Sequence, residues 1–389
     1  MRATARRVAA RSIAAVAVMG LALPLAACST GEAGGVGLVR DGCPADIRIQ
    51  TDDLPRVEWG FLYSLLDRDH LVVNEPKQGE DSVSAPLLID GEPSGATLTI
   101  LLGDPDDGVS GNVALHEDES ILLAAVDTDA ALLDSVRYPS VGVFAPMRRD
   151  SRIVYWDTEA YAGARSIRQF GARLTPNGRE LAPLDSVAGD PFNAFAIGSG
   201  MLTVEQVVTD DEPGVDGFFA DRGVSARLGD VLVDPYLLAR PESGKPRPIS
   251  WQLLDQAGYE RDAGVLSARP QSLVQHSDCL DVLVPVLQQA LVDYLDDPRE
   301  TTDLLIELSA GFGDPSYDFG LAHTALELFD SEYLVGSGRD GTIGDLDFGR
   351  IRDLVAEAVP AWTEAGLAVP AGVEAEDIAT NRFIDWSIG

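Results

Sequence analysis

The side chains best able to do chemistry in this sequence are carboxylates and aromatics gathered where strand-like runs end. In "DIRIQTDDLPRVEWGFLY" (46–63), Ile47 and Ile49 alternate with Arg48 and Gln50, and the run then meets Asp52, Asp53, Pro55, Glu58, Trp59 and Tyr63. Such acids accept hydrogen bonds from a ligand's N–H groups, more strongly when the ligand is a cation. A ring such as Trp59 offers a flat face for stacking. Asp52 and Asp53 are adjacent, so in a strand they face opposite sides and make a poor acid–base pair. The pattern recurs where Asp234 and Tyr236 end the strand-like "GDVLVDPY". Phe192 and Phe195 lead into Gly198-Ser199-Gly200, with a helix expected to begin near Thr203.

A glycine-containing loop, "LLGDPDDGVSGN" (101–112), follows another strand-like run. Gly103 and its neighbours let backbone N–H groups approach a ligand. The loop lacks the Gly-Lys-Ser/Thr ending of a phosphate loop, and Asp104, Asp106 and Asp107 would repel phosphate. A solvated acidic turn is an equally good reading, and a calcium loop would need a different spacing.

Catalytic patterns are lacking. The string around Ser199 is I-G-S-G-M rather than the Gly-x-Ser-x-Gly of a hydrolase elbow. The four histidines, His70, His116, His276 and His323, have no ligand-like spacing. The two lysines, Lys77 and Lys245, lie in polar loops, poor places for a Schiff-base amine. The expectation is a binding protein rather than an enzyme, with no cofactor and no metal.

These residues must be positioned by a chain of 389 residues, 45% hydrophobic, enough for one or two domains with real cores. Arg2, Arg6, Arg7 and Arg11 precede the apolar "SIAAVAVMGLALPLAA", the layout of a secretory signal. Leu25-Ala26-Ala27-Cys28 resembles a bacterial lipobox, which implies lipidation at Cys28, and "STGEAGGVG" reads as a flexible tether. Loss of residues 1–27 takes the net charge from −34 to −38. So acidic a chain is unsuited to nucleic acid. Cys43 and Cys279 remain; in an exported protein a disulfide between them is expected, two buried thiols being the alternative.

"ATLTILL" (96–102), "SILLAAVD" (120–127), "SVGVFAP" (140–146) and "SRIVYWD" (151–157) read as strands, and 128–136 and 158–171 as helices. The alternation argues for α/β layers with largely parallel sheets. After residue 270 the texture is helical. In 277–298, Leu280, Val284, Leu287, Leu291 and Tyr294 recur at helical spacing, with Pro285 inside the run. Further helices are expected at 301–310, 320–330 and 347–366.

Several separated segments resemble, in order, the substrate-binding lipoproteins of bacterial ABC transporters related to the thiamine-pyrimidine-synthesis proteins. Gln50, Thr51, Asp52, Pro55, Glu58 and Gly60 match that family's first ligand loop, with Asp53 in place of a tryptophan and Trp59 in place of a histidine. "LLGDP" is similar to a Gly-Gly-Pro loop, with Asp104 for the second glycine, and "FAIGSGMLT" to a Gly-Ser-Gly segment. "GDVLVDPYL" keeps Gly229, Pro235 and Tyr236, with Asp234 for a glutamate, and 251–270, 279–298 and 336–347 are similar almost throughout.

The resemblance implies a periplasmic-binding-protein-like fold: lobe 1 from 43–145 and 241–389, lobe 2 from 148–235, with crossings near Ala145–Arg148 and Tyr236–Arg240. A signal peptide (1–27) and a tether (28–42) precede them. It implies a monomeric solute-binding lipoprotein on the extracytoplasmic face, serving a membrane permease and closing around its ligand. The expected ligand is a small heteroaromatic, neutral or cationic solute. Its site would draw on Asp52, Asp53, Trp59, Gly103, Asp104, Asp127, Thr128, Phe192, Asp234 and Tyr236. The departures fall in the ligand loops. An envelope lipoprotein whose cleft holds a protein partner, and an enzyme on the same fold, are the alternatives.

Overall fold

The computed structural model describes residues 37–74, 81–103, 110–209, 214–241 and 245–389. The signal segment, Cys28 and Asp104 lie outside the described residues. Among the described residues there are twelve strands: β1 (Asp46–Gln50), β2 (Val72–Asn74), β3 (Ser82–Ile89), β4 (Glu92–Leu101), β5 (Ile121–Val126), β6 (Val141–Phe144), β7 (Arg152–Asp157), β8 (Leu184–Asp185), β9 (Val207–Val208), β10 (Ala226–Asp230), β11 (Ile249–Leu253) and β12 (Val265–Ala268). The four runs expected as strands overlap β4, β5, β6 and β7, with the last three strands lying inside the expected runs. Every residue of β5 is buried, as an unbroken apolar run with both faces covered requires.

The strands form a seven-stranded sheet, in the order β2-β3-β4-β1-β5-β12-β6, and a five-stranded sheet, β11-β7-β10-β8-β9. Both are mixed rather than largely parallel. In the first, β1 runs parallel to β4 and β5. However, β12 enters between β5 and β6 antiparallel to both. β3 and β4 form a hairpin turned by Asp90-Gly91, where both residues take positive φ. In the second sheet β7 is antiparallel to β10 and β11. Besides the β2-β3-β4 meander, the reversals come from strands that arrive after the chain has changed sheets.

The chain crosses between the sheets twice. The first crossing joins β6 to β7 through 145–151. The second differs: Ile249–Leu253 pairs with Ile153–Asp157 of β7, so the chain stays with the second sheet beyond Tyr236–Arg240 and returns through 254–264. The strand-like reading of 229–236 is also corrected, since β10 stops at Asp230 and Asp234–Ala239 is a helix with Pro235 in its first turn.

The long helix Ser277–Asp296 buries Leu280, Val284, Leu287, Leu291 and Tyr294, as expected, and tolerates Pro285 in its interior. Helices Arg299–Gly311, Phe319–Ser331 and Phe348–Glu364 follow where expected. Cys43 and Cys279 are joined by a disulfide, which ties the segment before β1 to the first turns of the long helix. Residues 158–171 yield only the helix Ile167–Gly171, because Asp157 Oδ1 accepts from the N–H groups of Glu159 and Ala160 and bends the chain into a turn. Near Thr203 a single 3-10 turn forms; the helix there is the earlier Pro191–Gly198. No helix among the described residues is long and apolar enough to cross a membrane.

Candidate functional site

The segment after β1 builds one wall of a cleft. Thr51 donates from both its N–H and its Oγ1 to the Leu101 carbonyl, at 2.9 and 3.0 Å, which pins the end of β1 to β4. Gly103 lies so close beyond that a Cβ there would overlap the Asp52 carbonyl group. This close approach is what the glycine allows. Asp53 Oδ1 accepts from Leu54 N–H at 2.6 Å, turning the chain toward Pro55. A 3-10 turn, Val57–Trp59, then enters the helix Gly60–Ser64. Trp59 points into the core with 4% of its surface exposed, and its indole N–H donates to Asp52 Oδ1 at 2.8 Å.

A cavity of about 220 Å³ opens against this wall, smaller than most drug-sized ligand pockets. Asp52, Asp53, Arg56, Glu58, Trp59, Asp127 and Gly264 line it from the first sheet's side. Pro146, Met147 and Asp150 come from the first crossing, and Arg261 and Ala263 from the second. Ser151, Arg152 and Asp230 come from the second sheet's side. The cavity therefore sits where the chain passes between the sheets.

The three guanidiniums are already engaged. Arg261 reaches Asp127, Asp129 at 3.4 Å and Asp150 at 2.5 Å. Arg152 reaches Asp150 at 3.2 Å and Asp190 at 2.7 Å. Arg56 pairs with Asp314 at 2.7 Å and stacks over Tyr317. Asp230 accepts from Ser151 Oγ and from Leu232 N–H, at 2.6 and 2.7 Å. Asp127 Oδ1 accepts from Gly264 N–H at 2.9 Å. No side chain among the described residues donates to the Glu58 carboxylate.

Six carboxylates and three guanidiniums thus line one cavity. Burial, reinforced by the neighbouring Asp230 charge, pushes Glu58 up to about 8. Asp52 is pushed up to about 7 by its depth in the cleft and by the Asp127 charge, against the lowering pull of the Trp59 hydrogen bond. Its side chain still meets cleft water, which moderates that push. Asp53, Asp127 and Asp230 are raised too, burial being the largest cause in each. Asp150 goes the other way: burial would raise it, but Arg261 and Arg152 outweigh that and hold it at about 2. No group of three or more metal-ligating side chains converges among the described residues.

Of the residues expected at a site, the structure brings Asp52, Asp53, Trp59 and Asp127 together. It places others elsewhere. Gly103 supports Asp52 from behind. Thr128 is buried, its Oγ1 accepting from Asp262 N–H at 2.9 Å. Phe192 is fully buried, edge-on to Tyr259, because its helix turns it into the core. Asp234 accepts from Asp230 N–H at 2.6 Å, so it braces a lining residue without lining the cavity. Tyr236 lies outside, its hydroxyl donating to Asp318 and Arg240 resting on its ring. Tyr63 is a core residue. Asp150, Arg152, Asp230 and Arg261 line the cavity and were not singled out from the sequence. The one signal was local charge, in "RRDSR" (148–152) and "ERD" (260–262), at chain positions that proved to be the crossings.

No protein-family model matches this chain, and no curated protein sequence matches it. Solved structures do. A protein from Bordetella bronchiseptica is 14% identical, with 87% of this chain and 96% of that one covered, at a TM-score of 0.51. The alkanesulfonate-binding protein SsuA from Xanthomonas axonopodis, bound to MOPS, is 13% identical over 87% and 98% of the two chains, at 0.50. A Candida albicans protein described as having the generic periplasmic-binding-protein fold is 11% identical over 88% and 98%, at 0.51. At such identities the likeness speaks for architecture alone. Taken with the two mixed sheets and the two crossings, it identifies the architecture of this chain as the periplasmic-binding-protein fold.

Proposed function

We propose that this protein is the solute-binding lipoprotein of an ABC importer, akin to the family related to the thiamine-pyrimidine-synthesis proteins. The observation that carries the reading is the cavity at the two crossings, walled by residues from both sheets and lined by carboxylates with raised pKa. Ligands of two-lobed α/β proteins are gripped where a hinge can close over them. In this reading one lobe comprises about 43–145 and 265–389, and the other about 152–253. Cys28 carries the lipid, and the tether stands a monomeric domain off the extracytoplasmic face of the membrane for a permease to meet. The protein does no chemistry on its solute. A neutral or cationic solute fits the wall better than the sulfonate for which some neighbours are named.

Native mass spectrometry of the purified protein, as isolated and after exposure to a pool of amines, vitamins and sulfonates, tests the reading. One small molecule retained at one-to-one stoichiometry, with a more compact small-angle scattering profile, is the expected result. If no small molecule is retained and the profile does not change, the solute-binding reading fails.

A further inference from the structure

The cleft differs from a stacking site in a way that narrows its ligand. Among the described residues Trp59 is the one aromatic in the lining, and it is committed to the core by burial and to Asp52 by its N–H. Phe192 and Tyr236, the other rings expected to stack, are not in the wall. Nor is the wall built for an anion. Each guanidinium is turned onto carboxylates, and the guanidinium nitrogens left without a hydrogen-bond partner, Arg56 Nε and Arg152 Nη2, are sealed from water. What faces the cavity in excess is carboxylate: Asp52 is open to cleft water, and Glu58 has no side-chain donor. These acids do not converge as a metal site does. Spread acceptors in a small cavity suit a cation whose charge is carried by several N–H donors.

Resting on the solute-binding reading above, we infer that the cleft selects a small aliphatic cation, an amine or guanidinium compound, whose N–H groups are taken by Asp52 and Glu58. The ligand's charge replaces protons. Glu58 is faced by Asp230, Asp53 and Arg56, with Tyr294 and Tyr317 behind it, and Asp52 by Asp127, Asp53 and the Trp59 N–H. With acids outnumbering bases around both, the carboxyls hold protons in part near neutrality and release them as the cation arrives. Binding therefore tightens as pH rises from 6 to 8, and its heat varies with the ionisation enthalpy of the buffer.

Titration calorimetry of the purified protein with putrescine, agmatine, ethanesulfonate and 4-aminopyrimidine tests this. The expected result is saturable one-to-one binding of putrescine or agmatine, with proton release, and none of ethanesulfonate. Glu58→Gln should weaken that binding at least tenfold without lowering the melting temperature; Asp52→Asn is the second variant if the first does not fold. If ethanesulfonate or 4-aminopyrimidine binds and the two amines do not, the cation inference is overturned while the solute-binding function stands. Failure of both amines to bind at millimolar concentration overturns it as well. Retention of no compound from the wider pool is the separate result that removes the function itself.

Discussion

Glu58→Gln should stabilise the unliganded protein, and the gain should depend on pH. The folded carboxyl is raised from 4.5 to about 8, first by burial and then by Asp230. A group whose folded pKa lies above its unfolded one contributes stability that is fully present below the unfolded value and is lost as pH rises through the folded value. The wild-type protein should therefore lose stability between about pH 5 and pH 8 on account of this residue. At pH 7 an unfolded glutamate is ionised while the folded one keeps its proton, a difference of about 3 kcal/mol if nothing screens it. Glu58 is only partly buried and cleft water reaches the wall, so about 1–2 kcal/mol is the better expectation. Glutamine keeps the shape and removes the charge. The assay is calorimetric or fluorimetric melting of both proteins from pH 5 to pH 9, where this stability corresponds to a few degrees. The two curves should coincide near pH 5 and separate as the pH rises, with the variant higher. Equal stabilities at every pH, or a variant less stable above pH 7, would refute the account of a strained acid kept in the wall. A gain in stability alongside a loss of affinity is what a site selected for binding rather than for folding shows.

Other outcomes follow from the same geometry. Arg261→Met leaves Asp150 buried beside only Arg152 and removes the partner of Asp127; a loss of about 3–5 kcal/mol is expected in denaturant unfolding, and a loss under 1 kcal/mol would contradict the network's role. Asp150, held at about 2, contributes stability above an unfolded value of 3.8 that is lost as pH falls toward 2, so the variant's deficit should shrink in that range. Cys43→Ser with Cys279→Ser opens a covalent loop spanning 236 residues and should cost about 2–5 kcal/mol, read as a lower melting temperature that dithiothreitol no longer changes. Gly103→Ala places a Cβ against the Asp52 backbone and should weaken solute binding although residue 103 does not line the cavity; unchanged affinity would show that the close approach does not set the position of Asp52.

How much was legible in the sequence varies with the range of the physics involved. Local pattern was enough for the apolar runs of β4 to β7, for the buried face of the helix Ser277–Asp296 and for the elements that follow it. Strand burial and helical periodicity are written in nearest neighbours along the chain. Count went far toward pairing Cys43 with Cys279, because Cys28 is the one other cysteine in the sequence. Asp52, Asp53, Trp59 and Asp127, expected together from the sequence, do line one cavity, Asp52 and Asp127 within two residues of a strand end.

Tertiary structure alone decided the rest. Local pattern made Tyr236 and Phe192 equal in promise to Trp59, yet one lies outside the cleft and another inside the core, because a side chain's direction depends on where its helix packs. The second crossing moved because Ile249–Leu253 found the edge of β7, a partner almost a hundred residues earlier in the chain. Asp150 and Arg261 are 111 residues apart, and their pairing exists only once both crossings are side by side. From the chain alone came an acidic α/β protein with carboxylates where strand-like runs end. Which of those carboxylates are neutralised by arginine, and which are left facing the cavity, was decided by contacts between distant segments. Electrostatic partnership acts over a few ångströms in space and has no fixed spacing along the chain.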